Sequence, residues 1–426
     1  MGSMTAMADT HPAFDGPVRW DPTDPLFRAD PYPFYDRLRA ERPVYRANRR
    51  DEIVLTRYHD VVRVLRDPGV SRDIEANARP DDTDPVAMAR RERRGGDGAK
   101  TILNLDPPDH TRLRRLVTKA FTPSAVERLR GWMIARVDTV LDRAAAAGGM
   151  ELIDELAFPF PFDVISEMLA LPTDRAHDVR DWSMALTKSL EPQCTLADLH
   201  AADDGINQLI PYLFELIEAR RSNLGDDVLS ALIEAQVDTE SGRADVLDAA
   251  ELLSFVILLY VAGHETTVNL IGNGTLALLR HPGQLAAWRD DPDLDLVAVD
   301  ELMRFDGPAQ HTIRVAMQPI EFETEGGVSL VAEPGQPIIT VLGAANRDPD
   351  VFDDPHQLRL ARPNAARHVG FSAGIHYCLG ASLARMEATI AIGRLIRRFP
   401  DVRMAGDPHW RDRITIRGVD RLELEF

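Results

Sequence analysis

Apolar residues recur every three or four positions along much of the chain, which is the spacing that places side chains on one face of a helix. This pattern covers seven segments: residues 34–42, 110–121, 124–147, 162–171, 199–221, 247–280 and 297–305. Alternation of apolar and polar positions, which indicates strands, is confined to residues 53–55, 320–331 with a Gly326-Gly327 turn, 338–342 and 414–426. The sequence therefore predicts a mainly α fold with small β-sheets.

No internal repeat and no serine- or glycine-rich linker divides the chain, so we expect one domain over residues 19–426. Residues 1–18 should form a flexible N-terminus, in which Met1-Gly2-Ser3 ahead of Met4 is a candidate cloning remnant. Residues 71–100 are polar and carry a run of arginines, which predicts a mobile surface loop. Such a loop would be either a lid or an insertion with no role.

The 49 basic and 68 acidic side chains give a net charge of −19, which makes nucleic acid and anionic membranes poor partners. The two cysteines, Cys194 and Cys378, are too few for a disulfide framework and fit a reducing cytoplasm. The N-terminus has no apolar run, and the most apolar window, residues 255–262, is far shorter than the ~20 residues of a membrane span. We therefore expect a soluble, cytoplasmic protein.

The segment around Cys378 carries the strongest chemical signal. It reads FSAGIHYCLG over residues 371–380 and runs into a helix-forming stretch. A cysteine at a helix N-terminus gains from free backbone amides and the helix dipole, both of which favour a metal-binding thiolate. Gly374 and Gly380 let the backbone approach a flat macrocycle, and Phe371 could shield the sulfur from water. An isolated cysteine is usually a small buried hydrophobe, but this spacing reverses that interpretation.

This segment resembles the haem-binding signature of the cytochrome P450 family, in which the cysteine is the axial ligand of the iron. It departs from the commonest form at Ser372, where the family more often has glycine. The resemblance implies a single triangular helical domain, haem b as the cofactor, Cys378 as the iron ligand, and a long central helix, residues 247–280, across the distal face of the haem. Four further residues would contact the cofactor: Ala262, Phe371, Gly374 and Gly380.

Glu301 and Arg304 lie three positions apart in a helical segment, so their side chains share one face. Taken alone, such a pair is usually solvated and contributes under about 1 kcal/mol to the stability of a protein. In the family the corresponding pair is buried behind the haem and bonds to an arginine ahead of the cysteine loop, and Arg362 matches that position best. The resemblance implies a role in folding and haem retention.

The apolar run of residues 247–280 is interrupted by AGHETT over residues 262–267. Thr266 can donate to the carbonyl of Ala262 and open the helix there, and Glu265 places a carboxylate among apolar neighbours. This resembles the acid–alcohol pair of the family, and reduction of dioxygen consumes protons that such a pair can relay. The alternative is a polar residue on a solvent-facing side of the helix.

His110 and Arg114 lie four positions apart at the start of a predicted helix and so share a face. The family uses the matching positions to bind the two haem propionates through charge-assisted hydrogen bonds, and Arg314 and His376 also match propionate-binding positions. Each of these residues, taken alone, is at least as readily explained as an ordinary basic residue on the surface as by a propionate-binding role. Together they predict an anion-binding pocket.

Arg112, Arg115 and Lys119 should point away from that pocket and form a basic patch on an acidic protein. A solvated helix face is the default interpretation. In the family this proximal surface receives an acidic ferredoxin or a flavoprotein, and opposite charge would steer the encounter. The resemblance therefore implies a ferredoxin and a ferredoxin reductase as partners that relay two electrons from NAD(P)H.

The expected function is that of a haem-thiolate monooxygenase, which inserts one atom of dioxygen into a hydrophobic substrate. We predict the lining of the substrate pocket from its offset to the motifs: Leu103, Ile257, Leu258, Ala262, Gln310, His311, Ile313 and Ile416. Two alternatives stay open. A peroxide-driven oxygenase would not need Glu265 and Thr266 to deliver protons, and a haem-based ligand or gas sensor would need neither that pair nor the basic patch.

Overall fold

The structure is a computed structural model, and it describes residues 18–47, 51–80, 84–94, 100–238, 244–324 and 329–426. The expected flexible N-terminus lies outside these ranges except for Val18, which is buried. The predicted Gly326-Gly327 turn and part of the segment 71–100 also lie outside the described residues.

Helices dominate the described residues, as the apolar spacing predicts. They are α1 Pro25–Ala29, α2 Tyr32–Glu41, α3 Tyr58–Arg66, α4 Ile74–Asn77, α5 Pro85–Arg94, α6 Asp109–Ala120, α7 Pro123–Arg128, α8 Arg130–Ala147, α9 Pro159–Leu169, α10 Ala176–Lys188, α11 Leu196–Arg221, α12 Val228–Glu234, α13 Ala249–Arg280, α14 Pro282–Asp290, α15 Ala298–Asp306, α16 Leu342–Ala345 and α17 Ala381–Arg398. The mainly α class with small sheets is confirmed.

The strands are short. They are β1 Val44–Arg46, β2 Ile53–Leu55, β3 Val70–Ser71, β4 Gly149–Glu151, β5 Gln236–Asp238, β6 Ala244–Val246, β7 Thr312–Ala316, β8 Ile320–Glu323, β9 Ser329–Ala332, β10 Pro337–Thr340, β11 Arg403–Met404, β12 His409–Trp410, β13 Val419–Arg421 and β14 Glu423–Glu425. The largest sheet has the order β1-β2-β10-β7-β3, in which β10 and β2 are parallel. A three-stranded sheet, β11-β14-β4, and three strand pairs complete the β structure of the described residues.

Two local expectations are wrong. The segment 71–100 is not a structureless loop, because Asp73 caps α4 by accepting from the Ala76 N–H, and Asp84 caps α5 by accepting from the Val86 N–H. These are N-cap signals in a stretch that lacks an apolar face. The stretch 414–426 is not one strand either, since only β13 and β14 form within it.

Helix α13 forms the centre of the fold. Asp248 and Glu251 make a capping box at its start, which satisfies backbone N–H groups that have no partner within the helix. It packs against α9, α10, α11, α15 and α17. It is long and apolar enough to cross a membrane, but 67% of its most apolar window is buried inside the protein. Its apolar composition is therefore that of a core helix.

Candidate active site

The loop from Phe371 to Gly380 presents Cys378 just ahead of α17. The Cys378 N–H donates to the Phe371 carbonyl over 3.0 Å. Gly374 has a φ of 73°, and a Cβ there would lie 2.3 Å from the carbonyl oxygen of Leu65, so only glycine fits. A Cβ on Gly380 would meet nothing within 4 Å. The protein itself does not require that glycine, and the open space beside it suits a flat group.

Ser372 stands at the position where the family signature usually has glycine. Its φ is 63°, which lies in the left-handed region that costs other residues about 1–2 kcal/mol. Its hydroxyl is buried without a hydrogen-bond partner among the described residues. The turn therefore forms with serine, at a cost that glycine would avoid.

The Cys378 side chain is exposed, yet enough protein atoms surround the sulfur that burial raises the pKa of the thiol. The Gly380 N–H and the charges of Arg114 and Arg385 act in the opposite direction. Binding to a metal would stabilise the thiolate further, because a cysteine that coordinates a metal is deprotonated. Phe371 is buried nearby, under the Arg385 guanidinium at 4.6 Å from its ring centre.

Within the described ranges, no group of three or more His, Cys, Asp or Glu side chains could hold a bare metal ion. A metal held through one cysteine therefore needs its other ligands from a cofactor, as haem provides.

The cationic side chains predicted to bind an anion lie close together. The ring centroids of His110 and His376 are 4.3 Å apart, and Arg114 Nη2 donates over 2.8 Å to the carbonyl that precedes the cysteine. Arg314 is buried, and its charge lowers the pKa of His376. The structure adds Arg72, whose charge acts on both Arg314 and His376. Arg72 could not be predicted from the sequence, because it lies in the polar segment 71–100, whose pattern indicates a loop.

These basic side chains have few anionic neighbours. Burial, reinforced by the neighbouring cations, lowers the pKa of His376 to about 3 and that of Arg314 to about 9, although Asp106 opposes the shift of Arg314. His110 Nδ1 and His376 Nε2 are buried with no hydrogen-bond partner in the structure as described. Buried polar groups without partners cost free energy. The pocket therefore fits a ligand with two carboxylates, such as the propionates of haem.

Glu265 is buried on α13, but it is not isolated among apolar neighbours as expected. Its Oε1 accepts from Arg411 Nη1 over 3.0 Å and from Arg413 Nη1 over 2.6 Å. Its Oε2 is buried without a described partner. The arginines lie 146 and 148 residues along the chain, so no local pattern could have found them.

The Thr266 hydroxyl donates to the Ala262 carbonyl over 2.8 Å, as predicted, and Thr267 makes the same kind of bond to the Gly263 carbonyl over 3.0 Å. The helix is nevertheless continuous through this segment, so the expected opening is not seen. Ala262 and Thr266 are half-buried whereas Glu265 is buried. The alcohol and the acid therefore lie on different sides of α13.

Glu301, Arg304 and Arg362 form a buried cluster. Arg304 donates to both carboxylate oxygens of Glu301 over 2.7 and 2.9 Å, and Arg362 Nε lies 3.1 Å from each. The Arg359 N–H donates to the same carboxylate over 2.9 Å. The remaining guanidinium donors of both arginines bond to backbone carbonyls of residues 346–357. The cluster ties α15 to the chain ahead of the cysteine loop.

The residues predicted to line the substrate pocket differ in exposure. Leu103 is 41% exposed, and Ile416 is half-buried, with its N–H donating to Glu191 over 3.3 Å. Three are half-buried on α13: Ile257, Leu258 and Ala262. Two others border a cavity of about 760 Å³: His311 and Ile313. Their common role in substrate binding stays a prediction.

Gln310 does not belong to this set. It is 0% exposed, and its amide donates to the Gly307 carbonyl over 2.7 Å and accepts from the Tyr35 hydroxyl over 3.1 Å. A side chain with no accessible surface and these internal partners cannot line an open pocket. The prediction for Gln310 is wrong because its neighbours come from α2, far away in sequence.

The predicted basic patch is smaller than expected. Arg112 forms an ion pair with Glu251 at the start of α13, which compensates its charge. Arg115 and Lys119 are exposed on α6. The fully exposed part of the predicted patch therefore consists of these two side chains.

Comparison with known proteins agrees with this geometry. The sequence model of the family Cytochrome P450 matches residues 292–408. Cytochrome P450 107B1 of Saccharopolyspora erythraea is 42% identical over 411 residues, which cover 94% of this chain and 96% of that protein. Cytochrome P450 monooxygenase PikC of Streptomyces venezuelae is 38% identical over 409 residues, which cover 94% of this chain and 92% of that protein.

Solved structures agree as well. The myxobacterial cytochrome P450 CYP267B1 in complex with myristic acid has a TM-score of 0.81 and 38% identity to this chain, and the match covers 94% of this chain and 98% of that one. The exposed Cys378 and the pocket of basic side chains beside it suit the haem b that such proteins bind. Identity at this level over nearly the whole length, with these residues in place, shows that the chain belongs to the cytochrome P450 family of haem-dependent oxidoreductases.

Proposed function

We propose that this chain inserts one oxygen atom of dioxygen into a hydrophobic organic substrate in the cytoplasm. Electrons would come from NAD(P)H through a ferredoxin reductase and a ferredoxin. The observation that carries the proposal is the exposed Cys378 beside two histidines, His110 and His376, each with a buried ring nitrogen that has no hydrogen-bond partner among the described residues. Bound there, haem would supply the activation of dioxygen. The residues of the chain would hold the haem, shape the substrate pocket and deliver protons.

The haem would be held by Cys378 at the iron and by His110, Arg114, Arg314 and His376 at the propionates. Charge-assisted hydrogen bonds from these cations would orient the ring. Burial lowers the pKa of all four groups, and a carboxylate bound beside them would favour their charged forms. Burial of the Glu301 cluster would keep the loop that carries the cysteine in place.

Proton delivery is assigned to Glu265 and Thr266. Two arginines occupy Oε1 of Glu265, so Oε2 is the oxygen that would take up a proton. The Thr266 hydroxyl donates to Ala262 and keeps its acceptor lone pairs for a proton arriving through water. Since the two side chains lie on different sides of α13, a water link between them is part of the proposal.

The substrate is expected to be apolar. Ile257 and Leu258 are half-buried on α13, and half-buried apolar side chains gain free energy when an apolar ligand covers them. The bound myristic acid of the myxobacterial relative supports an elongated apolar ligand.

The Thr266→Ala variant tests proton delivery. We expect it to bind haem and substrate like the wild type, while product formed per NADPH falls on the order of tenfold and peroxide rises correspondingly. Loss of the hydroxyl removes the last proton carrier but no packing group of the core. Product, peroxide and NADPH would be measured together.

Thr267→Ala is the matched control, because it removes a neighbouring hydroxyl with the same bonding pattern. It should leave coupling unchanged. Equal coupling in Thr266→Ala and the wild type would remove Thr266 from the relay and favour the peroxide-driven alternative.

The ferredoxin partner is tested on α6. The double variant Arg115→Glu with Lys119→Glu should slow reduction by an acidic ferredoxin on the order of tenfold at low ionic strength, because opposite charge steers the encounter. The difference should shrink at high salt. Stopped-flow reduction of the haem measures both effects.

Arg221→Glu on α11 reverses one charge, as each of the two α6 substitutions does, and serves as the control for charge reversal away from the patch. Unchanged rates and unchanged salt dependence in the α6 variant would contradict docking of an acidic partner at this patch.

A further inference from the structure

Asp300, at the start of α15, links the chain on both sides of Cys378. Its Oδ1 accepts from Arg385 Nε over 2.8 Å and from His368 Nε2 over 3.1 Å. His368 lies ahead of the cysteine loop, and Arg385 lies on α17, after the cysteine. These three side chains, Asp300, His368 and Arg385, form what we term the Asp300 triad. The triad therefore joins α15 to both ends of the loop.

His368 is the neutral member of the triad. It is buried, and its Nδ1 accepts from the Gly370 N–H over 3.0 Å, so the ring proton lies on Nε2 and is donated to Asp300. Burial lowers the pKa of His368, although Asp300 opposes this shift. The histidine therefore ties the backbone of Gly370 to α15 without adding a charge.

Asp300 and Arg385 are the charged members. Burial alone would raise the pKa of Asp300, but the hydrogen bond from His368 and the charge of Arg385 outweigh it and lower the pKa. The Arg385 guanidinium lies 4.6 Å from the centre of the Phe371 ring, and the Phe371 carbonyl accepts from the Cys378 N–H over 3.0 Å. The charge of Arg385 also acts on the sulfur, where it opposes the effect of burial on the pKa of the thiol. An ion pair therefore stands beside the predicted iron ligand.

We propose that the Asp300 triad tunes the reduction potential of the haem iron, with Asp300 and Arg385 as positioning residues that act through Cys378. Net charge and hydrogen bonds around a ligating sulfur are among the means by which proteins adjust such potentials. A positive charge at Arg385 favours the reduced state because it stabilises the added electron, and Asp300 limits this effect since its negative charge compensates the guanidinium. The proposal rests on Cys378 as the iron ligand, which is part of the proposed function.

The test measures the reduction potential of the haem-loaded protein by spectroelectrochemistry, with no electron-donor protein and no substrate present. Arg385→Gln should lower the potential, so that the equilibrium constant for reduction falls on the order of tenfold, or about 59 mV for one electron. Asp300→Asn nearly preserves the shape of the side chain and leaves Arg385 uncompensated, so it should raise the potential by a similar amount. The double variant should return close to the wild type, because both charges are then absent.

Two further variants separate charge near the sulfur from other effects. Arg385→Lys keeps the positive charge and should keep the wild-type potential. Arg397→Gln removes a comparably exposed arginine of the same helix, which pairs with Asp295 at 2.7 Å. Because Arg397 lies roughly three turns farther along α17, its removal should leave the potential unchanged.

Shifts of opposite sign in Arg385→Gln and Asp300→Asn would support the proposal, since damage to the cysteine loop would move both variants in the same direction. Unchanged potentials in both variants, or shifts of the same sign, would overturn it. So would an Arg385→Lys protein that shifts as Arg385→Gln does, and this comparison decides alone where Asp300→Asn does not fold.

Failure of the proposed function is distinguishable from these outcomes. A wild-type protein whose reduced carbon monoxide complex lacks the absorption band of a thiolate ligand would reject Cys378 as the ligand, and the present proposal with it. A protein that has this band and the expected shifts, yet forms no oxygenated product with NAD(P)H and redox partners, would reject the oxygenase and leave the role of the triad intact.

Discussion

The Cys378→His variant is expected to lose completely the red-shifted absorption band that a thiolate ligand gives to the reduced carbon monoxide complex. Cys378 is an exposed residue just ahead of α17; burial of its sulfur raises the pKa of the thiol, and the Gly380 N–H and the charges of Arg114 and Arg385 oppose this shift. An imidazole in its place supplies no thiolate charge to the iron. Absorption spectra of the purified, reduced protein under carbon monoxide measure the effect.

Cys194→Ala is the control for this experiment. Cys194 is the second cysteine of the chain and is buried between α10 and α11, where its sulfur contacts the Thr195 carbonyl at 3.4 Å. Its removal should leave the band unchanged. Persistence of the band in the Cys378 variant would mean that another group ligates the iron, and the assignment of the whole site would then be wrong.

The Glu301→Gln variant is expected to lower the free energy of unfolding by about 3–5 kcal/mol and to weaken haem retention. Arg304 and Arg362 would stay buried without the carboxylate that compensates their charge, and loss of one partner of a buried ion pair has a cost of this size. The neutral amide nearly preserves the shape, so the change isolates charge from packing. Urea unfolding and the haem content after dialysis measure the two effects.

Glu127→Gln removes the carboxylate of an exposed pair, Glu127 with Arg130, and should leave stability unchanged, because solvated pairs contribute little. Comparing the stabilities of the two variants shows whether the loss of stability depends on burial of the ion pair or follows from the loss of any ion pair. A Glu301→Gln protein that unfolds like the wild type and keeps its haem would contradict a structural role for the cluster.

The long helices could be predicted from local spacing. Residues 199–221 form most of α11, whose start is moved to Leu196 by a capping box between Thr195 and Asp198. Polar helices escaped prediction, since α4 and α5 show no apolar stripe and their starts depend on single aspartates. The largest sheet could not be predicted either, because β2 pairs with β10 and β3 pairs with β7, and both partners lie more than 240 residues later in the chain. The hydrophobic periodicity of a short stretch of sequence carries no information about a strand partner so far along the chain.

The helical class, the cysteine ahead of a helix, and the residue types of the anion pocket follow from the sequence, because each of these depends on spacing over a few turns. Which charges are compensated depends on contacts between distant parts of the chain, and these are visible in the folded protein alone. The tertiary structure brought Arg411 and Arg413 to Glu265, paired Arg112 with Glu251 and buried Gln310 against α2. The physical reason is that the free energy of a charged or polar group is set by its neighbours in space, and those neighbours come from distant parts of the chain.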